Sequence, residues 1–195
     1  MHQPKEINLQ AALRIVQYLK GTLGRGILFE RNGSVGLEAY TDADYAGSIV
    51  DRRSITGYYT FLGRNRVTWK SKQQSLVSRS SVEAESRSMA QEVCELLWLK
   101  SISEDLGIKS DEPMKLYCDN KSAISITYNP VQHDMTKHIE VDKHFIKKKI
   151  DSGLICTPYL SSQGNLTYFL TKWLNNNNFE RIVFKPRMMD IHSLA

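Results

Sequence analysis

Three acids far apart in the chain, Asp42, Glu85 and Asp119, set the chemistry it is equipped for. Asp42 ends an alternating run, Leu37-Glu38-Ala39-Tyr40-Thr41-Asp42-Ala43-Asp44-Tyr45-Ala46-Gly47, that reads as a strand. Val35, Leu37, Ala39 and Thr41 point one way along it, and Glu38, Tyr40, Asp42 and Asp44 the other. Glu85 lies in the first turn of a helix opened by Ser80-Ser81-Val82-Glu83, and Asp119 directly follows a short strand over 114–118. A carboxylate on a strand interior is costly if desolvated and unpaired, so Asp42 needs cations or donors to face it. Three carboxylates converging where strands end and a helix starts repel one another unless a divalent cation neutralises them. Oxygen ligands without paired Cys or His favour Mg²⁺ or Mn²⁺ over zinc. Such a site supports hydrolysis of a phosphodiester by two ions roughly 3.5–4 Å apart, one activating water and the other holding the leaving oxygen.

The elements that must position these acids follow from periodicity and punctuation. Ile7, Leu9, Leu13, Val16 and Leu19 recur at helical spacing over 5–20, and Gly21 stops the helix, which packs on a core. A short strand over 27–29 and an Asn32-Gly33 turn come next. After the Asp42 strand, 54–62 and 66–70 are β-rich runs joined by Gly63-Arg64-Asn65 as an antiparallel hairpin. The long helix from Ser80 buries Met89, Val93, Leu96, Leu97 and Ile102 and ends at Leu106-Gly107. Helices over 121–127 and 139–150, a strand over 154–160 and a last helix over 165–174 complete the pattern. Trp69 and Trp98 read as core residues and Trp173 as helix-end packing. This order is that of an α/β (α+β mixed sheet) fold with helices on the sheet faces.

A length of 195 residues fits one full domain plus an appendage. Hydrophobic content of 41% and charged content of 24% are those of a globular protein, and no apolar run has membrane-spanning length. The start, Met1-His2-Gln3-Pro4-Lys5, has no signal layout. Cys94, Cys118 and Cys156 are odd in number and far apart, which points to reduced thiols and away from a disulfide framework or a zinc cluster. A net charge of +5 permits a polyanionic partner without proving one.

Four motifs in order, 40–47, 79–85, 117–123 and 137–145, closely resemble the ribonuclease H domain of copia-type LTR retrotransposon Pol polyproteins. They read Tyr-Thr-Asp-Ala-Asp-Tyr-Ala-Gly, Arg-Ser-Ser-Val-Glu-Ala-Glu, Tyr-Cys-Asp-Asn-Lys-Ser-Ala and Lys-His-Ile-Glu-Val-Asp-Lys-His-Phe. Residues 2–29, with Arg14 to Thr22, resemble the end of the preceding reverse transcriptase. The resemblance implies a division into 1–33, the end of the reverse transcriptase thumb or connection region; 34–174, a ribonuclease H-like domain; and 175–195, an irregular C-terminal tail. It implies a five-stranded mixed sheet flanked by helices, and endonucleolytic hydrolysis of the RNA strand of RNA–DNA hybrids during reverse transcription. It further implies Asp42, Glu85 and Asp119 as catalytic metal ligands for two Mg²⁺ (or Mn²⁺) ions. The reverse transcriptase portion of the same polyprotein is the implied partner, and cytoplasmic particles the implied location. The family's fourth carboxylate falls on Tyr168, within Asn165-Leu166-Thr167-Tyr168-Phe169-Leu170-Thr171-Lys172. A phenol of pKa about 10 is neutral at pH 7 and a poor ligand for a hard cation, so one ion site and the activity are expected to be impaired. Ser86 also departs from the family, which usually has an aromatic there. A catalytically inactive remnant that at most binds nucleic acid stays open as the alternative.

An RNA–DNA hybrid is gripped through phosphates and 2′-hydroxyls. The residues offered for this are the hairpin cations Arg64, Arg66, Lys70 and Lys72, with Arg79, Asn120, His138 and the run 143–149. The hairpin reads equally well as a solvated charged edge, and 147–149 as a solvated helix face. Glu83 suits the helix N-terminus, and Asp44 reads as structural. His133, His138 and His144 lack the short ligand spacing of a zinc site. Asp42-Ala43-Asp44 also resembles the Asp-x-Asp of aspartyl-phosphate phosphotransferases. Ala46 stands where that family has Thr or Val, and hairpins follow instead of a parallel strand, so that reading is set aside.

Overall fold

Helical spacing of apolar residues gives α1 (Glu6–Gly21), and a three-residue strand β1 (Arg25–Ile27) follows it. Alternation then gives β2 (Leu37–Asp44), and β-branched and aromatic runs give β3 (Ile55–Leu62) and β4 (Asn65–Gln73). The remaining elements are α2 (Ser81–Asp105), β5 (Met114–Tyr117), α3 (Lys121–Tyr128), α4 (Lys137–Asp151), β6 (Ile155–Cys156), α5 (Tyr168–Thr171) and β7 (Met188–Asp190). This computed structural model describes residues 5–21, 25–27, 29, 35–128, 137–162, 164–165, 167–172 and 188–190. It divides into two compact units, Met1–Leu28 with Val183–Ala195, and Phe29–Ile182.

In the first unit β1 and β7 form an antiparallel pair, with Gly26 opposite Met189. The reading of 175–195 as irregular is corrected at Met188–Asp190: a main-chain partner, not any periodicity of its own, makes this segment a strand. The strand expected over 27–29 lies instead at Arg25–Ile27. The helix α1 leaves Ile7, Leu9, Leu13, Val16 and Leu19 exposed, contrary to the expected packing on a core.

The second unit is built on a five-stranded mixed sheet of order β4-β3-β2-β5-β6. Strand β3 runs antiparallel to both β2 and β4, with Asp42 opposite Gly57 and Gly57 opposite Ser71. Strands β5 and β6 run parallel to β2, so β2 and β5 end at the same edge. One face of the sheet packs on α2: Ala39, Leu116, Met89, Val93 and Leu96 are fully buried there, with Ile146 from α4. Ser80 caps α2, its Oγ accepting the Glu83 amide at 3.2 Å, and Gly107 at φ +78° ends the helix.

Three expectations are corrected here. The last helix spans only Tyr168–Thr171, because Asn165 holds the chain before it in a bonded turn: its Nδ2 donates to Thr41 O at 3.0 Å and its Oδ1 accepts the Thr167 amide at 3.1 Å. The strand over 154–160 is reduced to Ile155–Cys156 and a bridge from Tyr159 to Cys118. Trp69 and Trp98 are about half exposed, at 52% and 55%. Trp69 lies on the outer sheet face under the Arg66 guanidinium, 4.8 Å from the ring, and Trp98 falls off the helix stripe that reaches the sheet. Trp173 lies outside the described residues. Among those described, no helix is long and apolar enough to cross a membrane.

Candidate active site

Asp42 sits near the end of β2, 4% exposed, facing a neighbouring strand that contributes only Gly57. A Cβ at Gly57 would fall 2.7 Å from Thr171 Cγ2 and 2.8 Å from Leu170 Cβ. The glycine therefore lets α5 lie on the sheet beside Asp42, and Thr171 Oγ1 donates to Asp42 Oδ2. On the other side, Ser88 Oγ donates to the Asp42 carbonyl at 3.1 Å and contacts Thr41 Oγ1 at 2.5 Å. These bonds lock the strand end to α2.

Glu85 reaches the same place from α2. Its Oε1 accepts the Ala43 amide at 3.2 Å, and its Oε2 lies 4.0 Å from Cys118 Sγ. Asp119 follows β5 and precedes α3, whose first turn is capped by Asn120 Oδ1 on the Ala123 amide at 3.0 Å. Ligand atoms of Glu85, Cys118 and Asp119 all lie within 4.8 Å of one another. Asp42 stands outside that 4.8 Å group, near enough for its charge to act on Glu85, with one carboxylate oxygen engaged by Thr171.

The electrostatics are those of crowded, buried negative charge. Burial raises Asp42 above its ordinary carboxylate range and Asp119 and Asp44 add to this, while the Thr171 hydroxyl and the Lys172 ammonium oppose it. Burial pushes Glu85 up further, with Asp42 and Asp119 adding, against the Ala43 amide and Lys172. Burial and then Glu85 push the Cys118 thiol up, so it stays protonated and is a poor ligand. The site therefore offers hard carboxylate oxygens around a deficit of positive charge, a donor set that fits Mg²⁺ or Mn²⁺.

Tyr168, at the position of the resemblance's fourth carboxylate, opens α5 with its ring centroid 4.2 Å from Lys172 Nζ. Thr171, Lys172, Cys118 and Asn165 were not singled out in the sequence. Thr171 and Lys172 follow Tyr168 at three and four residues, a spacing that gathers them on one helix side. Cys118 stands at an inward position next to Asp119. Nothing marked Asn165.

The residues offered for substrate contact separate. Arg66 is corrected: it is 7% exposed, with its guanidinium 5.3 Å from the Tyr59 ring and 4.8 Å from Trp69, and so belongs to the outer sheet face. Arg64 is exposed in the β3–β4 turn, at the end of the sheet opposite Asp42. Lys70 and Lys72 are exposed at the near end, paired with Tyr58 and Thr56. Arg79 holds the start of α2, its amide donating to Glu83 Oε2 at 2.7 Å and its carbonyl accepting the Tyr45 hydroxyl at 3.2 Å. Asn120 spends its carbonyl oxygen on the cap of α3. In the run 143–149, Lys143 is buried and Lys147 pairs with Asp151 at 3.5 Å. His133 and the side chain of His138 lie outside the described part of the chain.

No family model matches the chain. It is 41% identical over 185 residues, 95% of its length, to the retrovirus-related Pol polyprotein from transposon RE1 of Arabidopsis thaliana. It is 36% identical over 181 residues to the corresponding polyprotein from transposon TNT 1-94 of Nicotiana tabacum. It spans 13% of the length of each. Among solved structures it is similar to a ribonuclease H1 isolated from compost, with TM-score 0.53 and 11% identity, over 70% of this chain and 93% of that one. It is also similar to a foamy viral protease-reverse transcriptase solved in complex with an RNA/DNA hybrid, with TM-score 0.53 and 12% identity, over 89% of this chain and 21% of that one. With the fold carried by those structures and the sequence by those relatives, the chain is a homologue of one segment of the Pol polyproteins of copia-type transposons and has the ribonuclease H-like fold.

Proposed function

We propose that this chain acts as a ribonuclease H, cutting the RNA strand of RNA–DNA hybrids as part of a longer polyprotein. The observation that supports the reading is that ligand atoms of Glu85 and Asp119 lie within 4.8 Å of one another, with Asp42 buried near the end of β2 and its charge acting on Glu85. Asp42, Glu85 and Asp119 would hold Mg²⁺ or Mn²⁺ there, which would supply the activation of water and the neutralisation of the leaving oxygen, with two ions in the full form of the reaction. Asp42 is oriented by Thr171 and Glu85 by the Ala43 amide, so their carboxylates need little reorganisation when charge develops. Asp119 is the least buried of the three and faces the incoming phosphodiester. Exposed Lys70 and Lys72 beside Gly57, with Arg79 before α2, supply phosphate contacts that position the hybrid without reading its sequence. The substrate is supported by the hybrid held in the foamy viral relative of this fold. Tyr168 in place of a fourth carboxylate makes the reaction slow. The reverse transcriptase portion of the same polyprotein is the partner that the exposed apolar residues of α1 fit.

The test is incubation with a labelled RNA–DNA hybrid in Mg²⁺ or Mn²⁺. The RNA strand is expected to be cut while the DNA strand and free single-stranded RNA stay intact, and Asp42→Asn should lower the rate by at least about 100-fold. An uncut hybrid, or equal cutting by Asp42→Asn, overturns the reading. Tyr168 favours a second reading, a remnant that binds hybrids without cutting them, and the same assay run with a binding measurement separates the two.

A further inference from the structure

Cys118 follows β5 directly, is fully buried, and turns its thiol toward α2. Its Sγ lies 4.0 Å from Glu85 Oε2 and accepts the Asn120 amide at 3.4 Å. Glu85 is 5% exposed; the Ala43 amide holds its Oε1, while its Oε2 meets no nitrogen or oxygen donor among the described residues. With Asp119, these side chains bring one sulfur and two carboxylate ligand atoms within 4.8 Å of one another. A tetrahedral zinc ion, at about 2.3 Å from sulfur and about 2.0 Å from a carboxylate oxygen, sets those two atoms roughly 3.5 Å apart. The 4.0 Å between Sγ and Oε2 therefore closes on such an ion with a small side-chain movement.

We propose that Glu85, Cys118 and Asp119 form a binding site for Zn²⁺, with water in the fourth position. The sulfur selects the ion, because a soft thiolate suits zinc and not Mg²⁺ or Mn²⁺. On binding, a Zn–S bond forms, the S–H bond breaks and its proton leaves to solvent, with no change of oxidation state. The Asn120 amide, already on Sγ, steadies the thiolate charge. Asp119, half-buried, gives the ion its way in. Zinc held there occupies two of the three acids and excludes the hard ion, so it inhibits cleavage. That consequence, unlike zinc binding itself, rests on the reading of Asp42, Glu85 and Asp119 as Mg²⁺ or Mn²⁺ ligands.

The experiment titrates the full chain with Co²⁺, a stand-in for zinc whose thiolate charge-transfer band reports a metal–sulfur bond, and then adds Zn²⁺. The parent should show the band, saturating at one Co²⁺ per chain, and lose it as Zn²⁺ displaces Co²⁺. A Cys94→Ser/Cys156→Ser variant, in which Cys118 is the one thiol left, should do the same. Cys118→Ser and Cys118→Ala should lack the band and bind Zn²⁺ at least about tenfold more weakly, while binding Mn²⁺ within about twofold of the parent. No band in the Cys94→Ser/Cys156→Ser variant, or a band that survives in Cys118→Ser, overturns the proposal; if the Cys118 variants do not fold, the first of these titrations decides alone. Asp42→Asn tests the underlying reading separately: Mn²⁺ binding should weaken while the Co²⁺ band persists. Unchanged Mn²⁺ affinity in Asp42→Asn removes the hard-ion assignment and leaves the zinc site standing, and a missing band beside normal Mn²⁺ binding does the reverse.

Discussion

At the scale of single residues, Asp42 and Glu85 persist in a buried, like-charged place because each has a donor aimed at it, Thr171 for one and the Ala43 amide for the other. Where the three acids sit, at the ends of β2 and β5 and near the start of α2, was legible from their positions in the sequence. What their neighbours do was not: Cys118 and Thr171 take their roles from residues on other elements. Tyr168→Asp restores an anionic ligand and should raise hybrid cleavage by about tenfold or more in a single-turnover assay; an unchanged rate would show that position 168 does not limit activity. A further buried acid lies outside this group. Glu92 on α2 is fully buried, with Oε1 accepting Thr60 Oγ1 at 2.9 Å and Oε2 without a partner among the described residues. Burial pushes its carboxyl up from 4.5 to about 8. Between those values the unfolded state binds fewer protons than the folded one, so this group makes stability fall as pH rises through that window. Glu92→Gln should flatten the fall and gain roughly 2–4 kcal/mol near pH 7.5 relative to the parent, read from urea unfolding at pH 5 and 7.5.

At the scale of elements, boundaries set by side-chain chemistry within the sequence were readable. The Ser80 cap, Gly107 and the alternation of β2 each act locally, and the structure has them where the sequence reads them. Boundaries set by distant partners were not. Asn165 shortens the last helix through a bond to Thr41, and β7 exists through pairing with β1. Gly57 shows how tightly one element is fitted to another. Gly57→Ala should push α5 off the sheet, break the Thr171–Asp42 bond and destabilise the fold by about 1–3 kcal/mol. Urea unfolding measures that loss, and a variant as stable as the parent would contradict the close fit. Ser80→Ala should cost about 1 kcal/mol by the same measurement.

At the scale of the whole molecule, a mixed sheet with helices on its faces followed from the run of three antiparallel strands and the later strand–helix alternation, while the strand order came only with the structure. The surroundings of α1 could not be read in that way. Its apolar spacing predicts a helix but does not name what covers it, and in this chain Ile7, Val16 and Leu19 stay exposed. Attaching the upstream polyprotein segment should slow amide exchange in α1 relative to this chain alone, and unchanged exchange would contradict a reverse transcriptase surface there. The account as a whole depends on acids from β2, α2 and the end of β5 sharing a cation. Anomalous scattering from Mn²⁺-soaked crystals tests this most directly. The predicted result is a peak bounded by Asp42, Glu85 and Asp119 that disappears in Asp42→Asn crystals; a peak elsewhere, or none at saturating Mn²⁺, would contradict it.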